Sequence, residues 1–159
     1  MMNKYAKISL ALLRASLGWL MLYAGLEKLL DPSWSAAGYL NNAATFPGLF
    51  HWFAQPGILP VINFVNEWGL TLLGISLILG LFVRLSSILG AGLMLLYYFP
   101  VLNFPHIPPH SFIVDEHIIY ALVLAYFAAA QAGKHYSLYN WCAGLPICSK
   151  FPKLRNWLG

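Results

Sequence analysis

The chain has 159 residues, of which 60% are hydrophobic and only 9% are charged. Soluble domains carry about 25% charged residues, so this composition excludes a water-exposed globular surface and predicts an integral membrane protein. The net charge of +4 does not indicate a nucleic-acid partner, because the basic residues lie at the ends of apolar segments. We expect a single all-α domain over residues 1–159.

Four apolar segments stand out along the chain. They comprise residues 8–30, 58–83, 86–102 and 114–132. A helix needs about 20 apolar residues to cross the hydrocarbon core, and each segment is close to that length. The pattern predicts a four-transmembrane-helix bundle.

The connecting segments also have distinctive compositions. Residues 33–55 place many aromatic side chains among small and amide residues, which predicts an amphipathic outer loop with short helices at the membrane interface. Residues 103–110 are rich in proline and cannot be helical throughout. The tail, residues 133–159, mixes aromatic and basic side chains and is predicted to lie along the cytoplasmic membrane surface.

The basic residues predict the orientation. Lys4 and Lys7 precede the first segment, Arg84 separates the second from the third, and the remaining connections 31–57 and 103–113 contain no Lys or Arg. Positive residues are enriched in cytoplasmic segments. We therefore expect a multi-pass protein of a prokaryotic plasma membrane, with both termini in the cytoplasm.

One face of the first segment combines glycines with cations. Arg14, Gly18, Met21, Gly25 and Lys28 are spaced by four, three, four and three residues, which places them on one helical face. Small residues at such positions let a neighbouring helix approach closely. The two cations either extend to the nearer headgroups or take part in interhelical contacts or a binding site.

Glu67 is the most deeply placed carboxylate, and it shares a predicted helical face with Thr71 and Gly74. A buried glutamate becomes neutral unless a cation accompanies it. Lys28 lies at comparable depth, so the sequence predicts a Glu67–Lys28 ion pair. A proton-accepting carboxylate beside a ligand is a compatible second interpretation.

The fourth segment opens with acidic and imidazole groups. Asp115 and Glu116 precede His117, which shares a stripe with Tyr120. A histidine with a pKa near 6.5 can exchange protons at physiological pH. Asp115 either joins this site or caps the helix N-terminus.

Metal and nucleotide chemistry have little support. His106 and His110 flank an Ile-Pro-Pro sequence, but their spacing matches no metal-ligand motif, and exposed loop histidines are the simpler interpretation. Cys142 and Cys148 fit neither a disulfide framework nor a complete zinc site. Because no nucleotide loop, haem motif or ferredoxin-type cysteine run is present, we expect no metal, haem or nucleotide cofactor and no nucleic-acid partner.

Three stretches occur in a characteristic order: LRASLGWLMLYAGLEK at 13–28, NEWGLTLLGISLILGLFVR at 66–84 and VDEHIIY at 114–120. Together they resemble the DoxX/DoxD-like family of small four-helix membrane proteins, over roughly residues 10–141. The DPSWSAAG stretch at 31–38 is similar to the DoxD branch, which includes the small subunit of thiosulfate:quinone oxidoreductase. The matching polar or glycine positions are Arg14, Gly25, Lys28, Glu67, Arg84, Asp115 and His117.

The resemblance implies a membrane subunit that helps to pass electrons from a reduced sulfur compound such as thiosulfate to quinone, together with a second oxidoreductase subunit. On this hypothesis Glu67, His117 and Asp115 are the catalytic candidates for proton exchange. The candidates for binding substrate or quinone are Lys28, Arg14 and Tyr120.

A non-enzymatic hypothesis stays open beside it, because no motif shows that this chain catalyses a reaction by itself. The chain would then be a membrane scaffold or assembly module that anchors a redox or transport partner, and its buried polar residues would fix helix register. Besides the lipid bilayer, the possible partners are a second oxidoreductase subunit and further copies of the chain.

Overall fold

The computed structural model describes residues 2–107, 111–139 and 142. In these residues it is an all-α bundle, which confirms the predicted fold class. The long helices are α1 (Lys4–Leu30), α4 (Leu59–Leu79), α5 (Val83–Val101) and α6 (Glu116–Ala130). The shorter elements are α2 (Ala37–Asn41), α3 (Pro47–Phe53), strands β1 (His106–Ile107) and β2 (Ser111–Phe112), and a 3-10 turn (Ala132–Lys134).

The break between α4 and α5 comes earlier than the sequence predicted. Gly80 ends α4 with a left-handed φ of 72°, and Phe82 precedes α5 with a φ of 57°. The expected helix ends at residues 83 and 86 are therefore wrong by a few residues. Hydropathy did not reveal the break because the turn itself is apolar. Gly80 can end the helix there because glycine adopts positive φ without the steric cost of a side chain.

The first and last of the long helices, α1 and α6, also differ in length from the prediction. The first begins at Lys4 rather than residue 8, because the Asn3 side chain caps it by accepting from the Ala6 amide at 2.7 Å. The fourth has 15 residues, since Asp115 caps its start and Gln131 ends it with a φ of 51°. Among the described helices, three have the length and apolarity of membrane spans, and Glu116–Ala130 is a shorter apolar helix.

The interface between α1 and α4 is built on glycines. A Cβ added to Gly25 would lie 2.5 Å from the Thr71 backbone nitrogen, and one on Gly74 would lie 2.4 Å from the Leu22 nitrogen. Gly18 also faces α4, where an added Cβ would lie 2.9 Å from Leu77 Cβ. The prediction that the glycine face of the first helix contacts a neighbouring helix is confirmed.

The second close helix pair is α5 with α6. Gly90 lies against both Leu73 and Leu124, where an added Cβ would approach their methyl carbons to 2.7 and 3.2 Å. The two pairs share one hydrophobic core, which includes Met21, Leu77 and Phe127. Direct packing of α4 on α5 is less extensive than packing within either pair.

The two ends of the bundle differ. We call the end where α1 and α5 finish and α4 and α6 begin the loop side, and the opposite end the N-terminal side. At the loop side α2 and α3 enclose a small core around Leu40 and Phe50, with 6% and 1% exposure. The short helices expected within residues 33–55 are thus present, whereas most of the predicted membrane-surface tail lies outside the described residues.

Candidate functional site: a loop-side pocket

A pocket of about 350 Å³ lies under α2 and α3, between the loop-side ends of the long helices. Its size is typical of small-ligand sites, as is its mainly apolar wall with a few polar groups. We call it the loop-side pocket. Its polar or aromatic lining comes from Lys28, Trp34, Ser35, Tyr39, Asn66, Tyr97 and His117, and its apolar lining includes Leu40, Phe50, Phe53 and Ile62.

One wall includes His117, which an aspartate holds in place. His117 Nδ1 lies 2.6 Å from Asp115 Oδ2, while Asp115 Oδ1 accepts from the Ile118 amide at 3.1 Å. The aspartate therefore caps α6, as one sequence interpretation held, and also orients the imidazole. Because Nδ1–H donates to the carboxylate, Nε2 is the acceptor of the neutral ring and a second donor when the ring is protonated.

Lys28 contributes the pocket's cation. Its Nζ donates to the Ala24 carbonyl at 3.1 Å and lies 5.5 Å from the centroid of the Trp34 ring, within the range of a cation–π contact. The side chain thus turns back along α1 and under the loop. In the last turn of a helix, this cation also interacts favourably with the helix dipole.

The predicted Glu67–Lys28 ion pair is wrong. In the described part of the chain, the salt bridge that forms is the one between His117 and Asp115, and Lys28 is directed to Ala24 and Trp34 instead. Glu67 is half-buried and does not line the loop-side pocket. Equal depth in the bundle did not bring the two side chains together, because Lys28 turns back toward the Ala24 carbonyl and the Trp34 ring.

Polar groups that the sequence analysis missed form the adjoining wall. The Tyr97 hydroxyl donates to Asn66 Oδ1, and the Asn66 amide donates to the Ile62 carbonyl at 2.9 Å. The Tyr97 ring packs edge-on against His117 with centroids 5.7 Å apart. Polar side chains within apolar spans are costly, as charged ones are, and therefore also tend to mark functional positions. That signal could have identified Asn66 and Tyr97.

Tyr39 joins the loop to this wall. Its hydroxyl donates to the Tyr97 backbone carbonyl. Burial, followed by the negative charge of Asp115, raises the pKa of Tyr39 to about 12. The phenol therefore stays protonated at neutral pH and remains a hydrogen-bond donor.

A model of the DoxX family matches residues 9–102, more than half of the chain. The chain belongs to the DoxX family. No curated protein and no solved structure matches it significantly. The match makes this a multi-pass membrane protein, and it includes Lys28 and Asn66 from the loop-side pocket. The matched range ends at α5, so Asp115 and His117 lie beyond it.

Arg14 lies far from the pocket of this DoxX-family protein, at the N-terminal side. It is 2% exposed, and its guanidinium donates to the carbonyls of Ala132 at 2.7 Å, His135 at 3.2 Å and Tyr136 at 3.0 Å. Carbonyl groups at a helix C-terminus lack partners within the helix. Arg14 therefore joins α1 to the end of α6, instead of lining the pocket as the sequence analysis proposed.

The remaining candidates from the sequence are Tyr120, His106 and His110. Tyr120 packs against the main core and does not line the loop-side pocket. His106 is exposed and its ring packs on Phe112, with centroids 5.5 Å apart, while His110 lies outside the described residues. In the part of the chain that the structure describes, no cluster of three or more His, Cys, Asp or Glu side chains could hold a metal ion.

Proposed function

We propose that this DoxX-family protein is the membrane subunit of an oxidoreductase and binds the ring of a quinone in the loop-side pocket. The observation that carries the proposal is that the Lys28 ammonium and the Asp115-oriented His117 line one mainly apolar pocket. Buried ionisable groups in membrane proteins are costly, and they commonly mark sites of ligand binding or proton transfer.

The groups around the pocket suit a quinone. Its flat ring needs apolar and aromatic surface, which Trp34 and Tyr97 offer, and its two carbonyl oxygens need donors. Lys28 Nζ supplies one donor, and His117 Nε2 supplies another when the ring is protonated. Asp115 stabilises the charged imidazolium before the proton moves to a ligand oxygen.

The electron donor in this proposal is a reduced sulfur compound, which follows from the resemblance to the DoxD branch. Coupling of two thiosulfate ions to one tetrathionate ion releases two electrons. Those electrons, with two protons, reduce one quinone to its quinol. His117 would pass one of the protons, and a second oxidoreductase subunit would handle the sulfur compound.

The charge distribution supports an orientation for this reaction. Glu27, Asp31, Glu67, Asp115 and Glu116, the five acidic residues of the sequence, lie in the loop-side half. Except for Lys28, the Lys and Arg residues of the described helices and turns lie on the N-terminal side. By the positive-inside rule we propose that the loop side faces away from the cytoplasm of a prokaryotic plasma membrane.

The test is binding of a short-chain quinone analogue to the purified protein. Lys28→Met keeps the aliphatic stem but removes the ammonium, and His117→Phe keeps a ring but removes both nitrogens. A hydrogen bond to a charged group is worth about 1.5–3 kcal/mol, so each variant should bind at least about tenfold more weakly.

Two control variants sharpen this test. His106→Phe makes the same chemical change at an exposed loop residue, and Glu67→Gln removes a carboxylate that does not line the pocket. Both should bind the analogue as the unmodified protein does. Unchanged affinity in Lys28→Met and His117→Phe would overturn the proposal. Retention of a copurifying partner by those variants would then favour the scaffold role.

A further inference from the structure

A second, larger cavity runs along the outside of the bundle between α4 and α5. It has a volume of about 800 Å³, and we call it the α4–α5 groove. On α5 its lining extends from Leu85 to Leu96, a length of about 16 Å at 1.5 Å per residue. It therefore follows the helices through much of the apolar part of the bundle.

The wall of the groove is suited to hydrocarbon. Apart from Ser76 and Ser86, the lining residues in the described chain are apolar or glycine. Ser76 Oγ donates to the Leu81 carbonyl at 2.5 Å and lies 2.7 Å from Ser86 Oγ. Both hydroxyls thus have partners within the protein, and neither needs a polar ligand.

The groove adjoins the loop-side pocket. Val65, Leu93 and Leu96 line both cavities. A molecule whose polar ring lies between Lys28 and His117 therefore has the groove directly beside it, on the other side of these three side chains, as a site for an apolar chain.

We infer that the α4–α5 groove binds the hydrocarbon chain of the ligand whose ring lies in the loop-side pocket. This inference rests on the proposed function and narrows it: the ligand is a long-chain membrane quinone rather than a water-soluble quinone. An acyl chain of the bilayer would fill the same groove without any coupling to the pocket, so dependence of binding on chain length separates the two cases.

Glycines give the groove its width and provide a way to fill it. An added Cβ on Gly92 would meet no atom of the described residues within 4 Å, and one on Gly69 would have only Leu93 Cδ2, at 3.8 Å. Both glycines line the groove. Gly92→Leu should therefore occupy the groove without disturbing helix packing, and Gly69→Leu is a second variant of the same kind.

The experiment measures binding of two quinones with the same ring, one with a long isoprenoid chain and one without. Protein in nanodiscs of one lipid composition is used, and affinities are expressed per mole fraction of quinone in the lipid, which removes the effect of partitioning. The unmodified protein should bind the long-chain quinone at least about tenfold more tightly. Gly92→Leu and Gly69→Leu should abolish that preference and leave the short-chain affinity unchanged.

Ala125→Leu is the matched control, since it adds similar bulk at an exposed position of α6, outside the groove lining. It should preserve the preference for the long chain. Equal affinity for the two quinones in the unmodified protein, or an equal loss for both in the glycine variants, would overturn the groove inference alone. Absence of binding for both quinones would instead overturn the proposed function and this inference with it.

Discussion

Helix α4 has two neighbours and contacts them in opposite ways. Toward α1 its backbone approaches so closely that a single methyl group on Gly74 would overlap the Leu22 backbone. Toward α5 it leaves a groove of about 800 Å³ lined by side chains of leucine, isoleucine and valine among others. Both faces are apolar, so hydrophobicity alone does not explain the difference.

The contrast reflects how helices associate in lipid. Lipid tails are as apolar as leucine, so burying leucine between helices gives little driving force, whereas glycines let backbones approach and form many van der Waals contacts. Gly18, Gly25 and Gly74 are placed where they face the neighbouring helix. Gly69 and Gly92 instead face the groove, and there their small size leaves space for a ligand chain.

The largest expected effect concerns Arg14, which links α1 to the end of α6 at the N-terminal side. Arg14→Gln removes a buried guanidinium that makes three hydrogen bonds to carbonyl groups. We expect the free energy of unfolding to fall by about 3–5 kcal/mol. The measurement is denaturant-induced unfolding in detergent, and Arg14→Lys should be intermediate because it keeps the charge but loses the fork geometry.

Lys4→Gln is the control for that experiment, since Lys4 is exposed in the first turn of α1. It should unfold as the unmodified protein does. If Arg14→Gln did so as well, the link between α1 and α6 would have no energetic importance.

The next prediction compares the two interfaces of α4 by making the same glycine-to-alanine change in each, at Gly74 of α4 and at Gly92 of α5. Gly74→Ala places its methyl group 2.4 Å from a backbone nitrogen that cannot move easily, and we expect a loss of about 2–3 kcal/mol. Gly92→Ala places the same group in open space and should stabilise α5 by up to about 1 kcal/mol, because alanine favours helix. Thermal unfolding in detergent measures both.

Similar shifts for the two alanine variants would contradict the contrast between a closed and an open face. A lower melting temperature for Gly74→Ala together with a higher one for Gly92→Ala would support it. Binding of the long-chain quinone to Gly92→Ala should remain close to that of the unmodified protein, because one methyl group fills little of the groove.

The smallest expected effect is a pH dependence at the N-terminal side. Burial, and then the positive charges of Lys7, Arg14 and Lys134, lower the pKa of His135. The unfolded chain, with a histidine pKa of about 6.5, therefore binds more protons just below that pH than the folded chain. Stability should thus decrease as pH falls below about 6.5 and increase again as pH rises.

His135→Gln should remove part of that slope, and the two melting curves should converge at neutral pH. Melting temperatures of both proteins across about pH 5–8 measure the effect, and the other histidines act as an internal control because they are common to both. A slope that is identical in the variant would show that His135 is not the titrating group.

Much of the fold followed from local patterns in the sequence. Hydropathy located the four long helices, and the spacing of Gly18 and Gly25 identified the face of α1 that packs on α4. Asp115 before an apolar run indicated a helix cap, which the structure confirms. Such features depend on residues within a few turns of one another, so periodicity and composition are sufficient to reveal them.

The site depended on contacts that local patterns do not encode. Arg14 binds backbone carbonyls about 118 or more positions away, and a carbonyl is present at every residue, so sequence gives no hint of the partner. Lys28 and Glu67 were correctly placed at one depth, but the direction of the lysine is decided by the Ala24 carbonyl and the Trp34 ring. Sequence therefore suggested an ion pair that does not form.

The sequence by itself determined that this is a membrane protein of the DoxX type, and which helix faces carry glycines and charges. Only the tertiary structure decided that Lys28, Asn66, Tyr97 and His117 surround one pocket, and that this pocket shares lining residues with the groove between α4 and α5. The physical reason is that hydropathy and helical periodicity are properties of one segment. A pocket depends instead on the rotation and separation of several helices, which their close-packed contacts set.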